Sequence, residues 1–321
     1  MKRLLALLVF AGASVQAGSL LEYFGSGENS FSIEFQNVGN ENNPADLNAP
    51  APGGGYVGSV NYTYGIGKYE ISRSIIQKAN AASSLNLTMA DLTNYGGNGP
   101  NRPATGLSWV NAAKFVNWMN TSQGYQVAYK IEQQQVALAI VDVVLLWGSN
   151  ENGFNSQNQF RNTNARYFLP SADEWHKAAF YDPNKNGGGY WLYPNQNDTV
   201  PTKVSSGLLN GSVVNGQSGP ADVDNAGGMS AYGTMAQGGN ASEFTETASD
   251  FINDNGMEDR RMVDSTWGNG MDSILQSNYG VQRFWGEDAI GFRVAMVPEP
   301  SAFSLLAIGL GGLAMMQRRR S

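Results

Sequence analysis

Cysteine is absent from all 321 residues, and histidine occurs once, as His176. No cysteine means no disulfide, no thiol nucleophile and no soft thiolate ligand for a metal. A single histidine rules out multi-histidine zinc sites and leaves little for imidazole acid–base chemistry. Positive charge is also scarce: 20 lysines and arginines face 27 aspartates and glutamates, a net charge of −7. Three of those arginines, Arg318 to Arg320, sit together at the C-terminal end, so the rest of the chain is more acidic still. Such a chain lacks the basic footprint of nucleic-acid binding, and its charge suits a divalent cation or a neutral sugar. Long apolar runs are missing between the two ends. The longest, Ala137 to Trp147, is interrupted by Asp142 and falls short of the roughly 20 residues of a spanning helix.

The two ends carry what the middle lacks. Lys2 and Arg3 precede an apolar stretch from Leu4 to Ala11, and Val15-Gln16-Ala17 places small residues where a signal peptidase reads. Residues 1–17 are therefore expected to be a secretory signal peptide, cleaved after Ala17. At the other end Val297-Pro298-Glu299-Pro300 is followed by an apolar run from Ala302 to Met316 and then by the arginine cluster. As a helix that run reaches only about 23 Å against a hydrocarbon core of about 30 Å. The arginines would stay on the cytoplasmic side and hold Pro298, Glu299 and Pro300 just outside the membrane. Residues 297–321 resemble the PEP-CTERM sorting tail. That resemblance implies export by a Gram-negative bacterium that makes extracellular polysaccharide, a transient inner-membrane anchor, and processing by an exosortase before release to the envelope or the exterior.

Residues 18–296 are then the mature body, long enough for a sizeable core. Glycine is abundant, at 39 residues, and asparagine is frequent, which predicts long irregular loops. Phe31-Ser32-Ile33-Glu34-Phe35 alternates as a strand does, and Tyr62 to Ile71 reads as a second strand. Three helices are expected. The first runs from Ser72 to Ala82. The second runs from Ser108 to Asn120, with Trp109, Ala112, Ala113, Val116 and Met119 on one face. The third opens with Ser171-Ala172-Asp173-Glu174, a capping box, and buries Trp175, Ala178 and Ala179. Between Gly187 and Phe292 the pattern is loops with short strands, so the fold class is α+β with little regular structure.

Five phrases, in order, resemble the formylglycine-generating enzyme, or sulfatase-modifying factor, family. They are Ile66-Gly67-Lys68-Tyr69-Glu70-Ile71-Ser72; Arg102-Pro103-Ala104-Thr105-Gly106-Leu107-Ser108-Trp109 leading into Asn111-Ala112-Ala113-Lys114; Tyr167-Phe168-Leu169-Pro170-Ser171-Ala172-Asp173-Glu174-Trp175-His176-Lys177-Ala178-Ala179; Tyr232-Gly233-Thr234-Met235-Ala236-Gln237-Gly238-Gly239-Asn240-Ala241-Ser242-Glu243-Phe244; and Gly291-Phe292-Arg293-Val294. The resemblance implies the C-type-lectin-like fold in the variant this family uses, which serves both catalysis and ligand binding. It also implies an oxidase built on a copper-binding cysteine pair late in the chain. Here the stretch from Trp267 to Gly291 offers Ser273, Ser277, Tyr279 and Arg283 instead, so no copper site and no catalytic residue are assigned.

The family further implies a structural calcium site on the Gly-Asn segment, to which Gly239, Ala241 and Glu243 correspond. Ala236 stands where a side-chain ligand is usual, and one carboxylate fewer lowers affinity. Asn253-Asp254-Asn255-Gly256 looks superficially like an EF-hand loop but has Met262 where the closing glutamate belongs. Glu243, Glu246, Asp250, Asp254, Glu258 and Asp259 are read as solvated loop charges. His176 is expected to be a satisfied, partly exposed residue, and Trp109, Trp118 and Trp175 to be core. Two functions stay open. One is a catalytically dead domain that binds carbohydrate or an exported protein in the extracellular matrix. The other is an enzyme acting on exported protein or polysaccharide through carboxylates.

Overall fold

The computed structural model describes residues 18–297 except 52–53, 137–138, 208–209, 215, 257, 271–278 and 283–286. Ala17 and the Pro298-Glu299-Pro300 tail lie outside the described residues, as do Ser273, Ser277 and Arg283. Among the described residues, no helix is long and apolar enough to cross a membrane.

In chain order the elements are β1 (Ser19–Phe24), β2 (Phe31–Val38), β3 (Tyr64–Gly67), α1 (Arg73–Ala82), α2 (Trp109–Ser122), β4 (Lys130–Val136), β5 (Ala139–Leu145), β6 (Tyr167–Phe168) and α3 (Ala172–Phe180). Short strands follow: β7 (Tyr181–Asp182), β8 (Gly189–Tyr190), β9 (Thr202–Lys203) and β10 (Gly211–Ser212). Last come β11 (Ser242–Ala248), β12 (Arg260–Val263), β13 (Tyr279–Gln282), β14 (Ile290–Gly291) and β15 (Ala295–Met296).

Two sheets organise the molecule. The first runs β1-β2-β3-β15-β6 and is antiparallel throughout, so the beginning and the end of the described chain share one sheet. The second runs β13-β12-β11-β14, with β14 parallel to β11. Phe292-Arg293-Val294 crosses from β14 to β15, and hence from one sheet to the other. β4 and β5 form a separate hairpin of seven residue pairs.

The helices begin where capping chemistry predicts. Ser72 accepts from the Ile75 N–H, Ser108 from the Asn111 N–H, and Ser171 with Glu174 closes a reciprocal capping box. On α2 the predicted stripe of Trp109, Ala112, Ala113, Val116 and Met119 is fully buried. The alternation in β2 is equally direct: Phe31, Ile33, Phe35 and Val38 are buried. The second predicted strand is shorter than expected. It ends at Gly67 because the chain bends at Lys68-Tyr69 and carries Glu70 towards the second sheet. His176 is fully buried, not partly exposed; its Nε2 meets Asp46 Oδ2 at 2.9 Å. Burial holds its pKa below the ordinary histidine value, against the opposing pull of Asp46.

Candidate functional site

The strand β11 is where the sequence points, and all seven of its residues are buried. Two clusters of buried charge are built on it. Glu243 anchors the first. Arg293 donates to it through Nε at 2.6 Å and Nη2 at 2.5 Å, and Trp175 donates its indole N–H at 2.6 Å. The other guanidinium N–H groups reach the Gly67 and Met235 carbonyls, each at 2.9 Å. Arg293 thus ties β3 of the first sheet to β11 of the second with no exposed surface. A fork of five donors suits a bidentate carboxylate plus carbonyls, which a lysine could not match.

Gly239 and Ala241 lie beside it, and the structure brings them together with two further acids. The Ala241 N–H donates to Glu70 at 2.9 Å and the Asn240 amide donates to the same carboxyl at 2.5 Å. The Gly239 N–H donates to Asp264 at 2.9 and 3.0 Å. Burial, then the nearby Glu243 charge, pushes Glu70 up to about 8. The same two causes push Asp264 well above the carboxylate range. The turn that presents these groups is left-handed at Ala236, Gly239 and Asn240. Only glycine fits at Gly239, where a Cβ would stand 2.4 Å from Val214 Cγ1 and 2.6 Å from the Val213 carbonyl.

Calcium takes about six to eight oxygen ligands. Both Glu243 oxygens already accept from cationic or indole N–H groups, and Ala236 supplies no side-chain oxygen. Among the described residues no group of three or more His, Cys, Asp or Glu is arranged to hold a metal. The residues present therefore do not fit the ion: the guanidinium of Arg293 already supplies the positive charge at Glu243.

The second cluster centres on Arg161. It forms a bidentate pair with Glu174, at 3.0 and 2.8 Å, and reaches Glu246 through Nε at 2.8 Å. Tyr62 donates to Glu174 at 2.6 Å, Tyr129 donates to Glu246 at 2.8 Å, and Asn158 also donates to Glu246. Burial alone would raise Glu174; the Arg161 charge and these hydrogen bonds bring it below its ordinary value. Arg260 completes the charge balance. It is 1% exposed, lies 3.6 Å over the Phe160 ring and 4.6 Å over Trp109, and none of its guanidinium N–H groups has an acceptor among the described residues. Burial lowers its pKa to about 10, and Glu246 is the strongest charge working against that.

The reading of the late acids as solvated charges is thus corrected for Glu243 and Glu246, both 0% exposed and each closed by an arginine. It holds for Asp250 and Asp254, which are exposed. The Asn253-Asp254-Asn255-Gly256 turn packs on β5, where a Cβ at Gly256 would stand 1.9 Å from the Val144 carbonyl. Trp191, beside Tyr190, is held by its neighbours: Lys185 lies 4.0 Å over the Trp191 ring, and the Trp191 indole N–H reaches Asp182 at 3.2 Å. Sequence reasoning singled out neither Arg161 nor Asp264. Arg161 stands in an Asn-rich loop with no periodicity, and only folding brings it to Glu174 and Glu246.

The fold that carries these clusters is one that known proteins share. Residues 56–297 match the model of the sulfatase-modifying factor enzyme 1-like domain, and the chain belongs to that family. Among solved structures it is similar to Treponema denticola variable protein 1, at 17% identity and TM-score 0.54, covering 87% of this chain and 99% of that one. It is likewise similar to PvdO from Pseudomonas aeruginosa, at 13% identity and TM-score 0.53, covering 86% and 98%. CarF matches at 14% identity and TM-score 0.52, covering 83% and 99%. At these identities the likeness is one of fold, the α+β C-type-lectin-like architecture. No curated protein matches the chain.

Proposed function

We propose that this chain is a non-catalytic binding member of its family. On this reading it is exported by way of its signal peptide, trimmed by an exosortase at the Pro298-Glu299-Pro300 tail, and delivered to the envelope or the extracellular matrix. Its ligand there is the polysaccharide. The observation that carries the reading is the absence of cysteine from the entire sequence, which removes the thiolate pair that copper-dependent oxidation requires. A carboxylate-based hydrolase is disfavoured because Glu243 and Glu246 are sealed from solvent and neutralised by Arg293 and Arg161. A glycosidase needs two carboxyls open to the same sugar. The test is retention of the purified protein on the host's own extracellular polysaccharide, with calcium and with a chelator. Saturable retention in both buffers is expected. A folded protein that passes through unretained would redirect the reading to a protein partner.

A further inference from the structure

The sequence places Trp118 on a helix among core residues, yet it is only half-buried. Its ring lies against the core, with the Phe31 and Phe115 centroids at 5.9 and 6.0 Å. The rest of the indole separates two clefts. The first, of about 400 Å³, lies between α2 and the β4–β5 hairpin, and Lys114, Gln133 and Asp142 are among its lining residues. The second, of about 470 Å³, lies towards the start of the first sheet, lined in part by Ser26, Asn29 and Gln123. Both volumes fall in the lower part of the roughly 300–1,000 Å³ range of ligand sites.

The chemistry of these walls is specific. The indole N–H groups of Trp109, Trp147 and Trp175 each reach a protein acceptor. That of Trp118 donates to none among the described residues. The Gln133 side chain, exposed on the hairpin, also makes no protein hydrogen bond among them. Lys114 and Asp142 form an ion pair across the first cleft, which pins the hairpin to α2 and leaves the cleft with no net charge. An aromatic plane with a free N–H, flanked by an uncommitted amide, matches the alternating C–H and hydroxyl surface of a sugar ring. Neutral walls on a chain of net charge −7 disfavour a polyanion.

We infer that Trp118 is the stacking platform of a binding site for a neutral, hydroxyl-rich glycan, which runs across α2 with one sugar in each cleft. This rests on the carbohydrate-binding reading above and gives it a location away from β11 and its buried charges. The site needs no metal, because the contacts are a stacked ring and neutral hydrogen bonds.

The experiment is native affinity electrophoresis of the full protein in gels containing dextran, mannan or laminarin, with alginate and hyaluronan as acidic counterparts. At least one neutral polymer should retard the wild type, and tryptophan fluorescence should shift on binding. Trp118→Ala should weaken retardation tenfold or more. Because Trp118 also touches the core, Trp118→Phe and Gln133→Ala serve as variants that preserve packing, each weakening binding severalfold. Trp191→Ala, on the aromatic segment already covered by Lys185, should bind as the wild type does. Neutral-glycan binding unchanged in Trp118→Phe and Gln133→Ala would overturn this location while leaving carbohydrate binding intact. Retardation by alginate or hyaluronan alone would overturn the neutral class. No retardation of a folded protein by any polymer would overturn the carbohydrate reading itself, and the site with it.

Discussion

Replacing Arg293 by methionine tests the account of β11 most directly. The side chain is 0% exposed and binds both oxygens of Glu243 as well as the Gly67 and Met235 carbonyls. Methionine fills much of the volume but donates nothing. The substitution strands a buried carboxylate that keeps only the Trp175 N–H, and it orphans two carbonyls. Breaking a buried ion pair costs about 3–5 kcal/mol, and each orphaned acceptor about 1 kcal/mol or more. A loss of about 5 kcal/mol is therefore expected, comparable to the whole stability of many domains. Urea unfolding at pH 7 measures it, with Glu243→Gln and the double variant completing a cycle. The coupling between the two positions should reach about 2–3 kcal/mol. Because the pair is dry, high salt should leave it largely intact. An Arg293→Met variant within about 1 kcal/mol of wild type, or a coupling near zero, would refute the claim that this pair joins the two sheets.

Four further outcomes follow from the same geometry. A chelator should leave the unfolding midpoint unchanged and calorimetry should record no calcium binding at β11, since Arg293 already neutralises Glu243; a calcium-dependent midpoint that vanishes in Glu243→Gln would contradict this. Glu70 is pushed up to about 8, so between about pH 4.5 and 8 the folded form holds a proton that the unfolded chain has lost. Its contribution to stability must then fall as pH rises through that window, by up to about 1.4 kcal/mol per unit. The Glu70→Gln variant should show a shallower slope in pH-dependent unfolding, while losing stability at pH 5 because one amide N–H meets a donor. Arg260→Met should be neutral or stabilising by about 1 kcal/mol, because the guanidinium is buried with no hydrogen-bond acceptor among the described residues; a loss above about 2 kcal/mol would show that stacking on Phe160 and the field of Glu246 outweigh desolvation. Gly239→Ala should cost more than about 2 kcal/mol, because φ is +110° and the new Cβ would meet Val213 and Val214.

The sequence by itself determined the local elements whose signals are local. Ser72, Ser108 and Ser171 start the three helices because their hydroxyls cap N–H groups three residues on, within reach whatever the rest of the chain does. The stripe on α2 and the alternation of β2 follow from helical and strand periods. Missing cysteine excluded thiolate chemistry without any coordinates. The family was legible too, through five phrases in order, and with it the C-type-lectin-like fold.

What only the tertiary structure decided were pairings across long stretches of chain. Glu243 meets Arg293 over a separation of 50 residues, and Glu70 meets Asn240 over 170. An acidic residue in a polar segment reads as solvated because no pattern announces a distant arginine. Glu243 and Glu246 became buried charges because β11 sits inside the second sheet, with α2 and α3 packed on it. Trp118 moved the other way, from predicted core to a half-exposed ridge. Its neighbours on α2 meet the core, while Trp118 itself lines a cleft between α2 and the β4–β5 hairpin. Burial is a property of the assembled fold, and the chemistry of a charge or an aromatic ring depends on it.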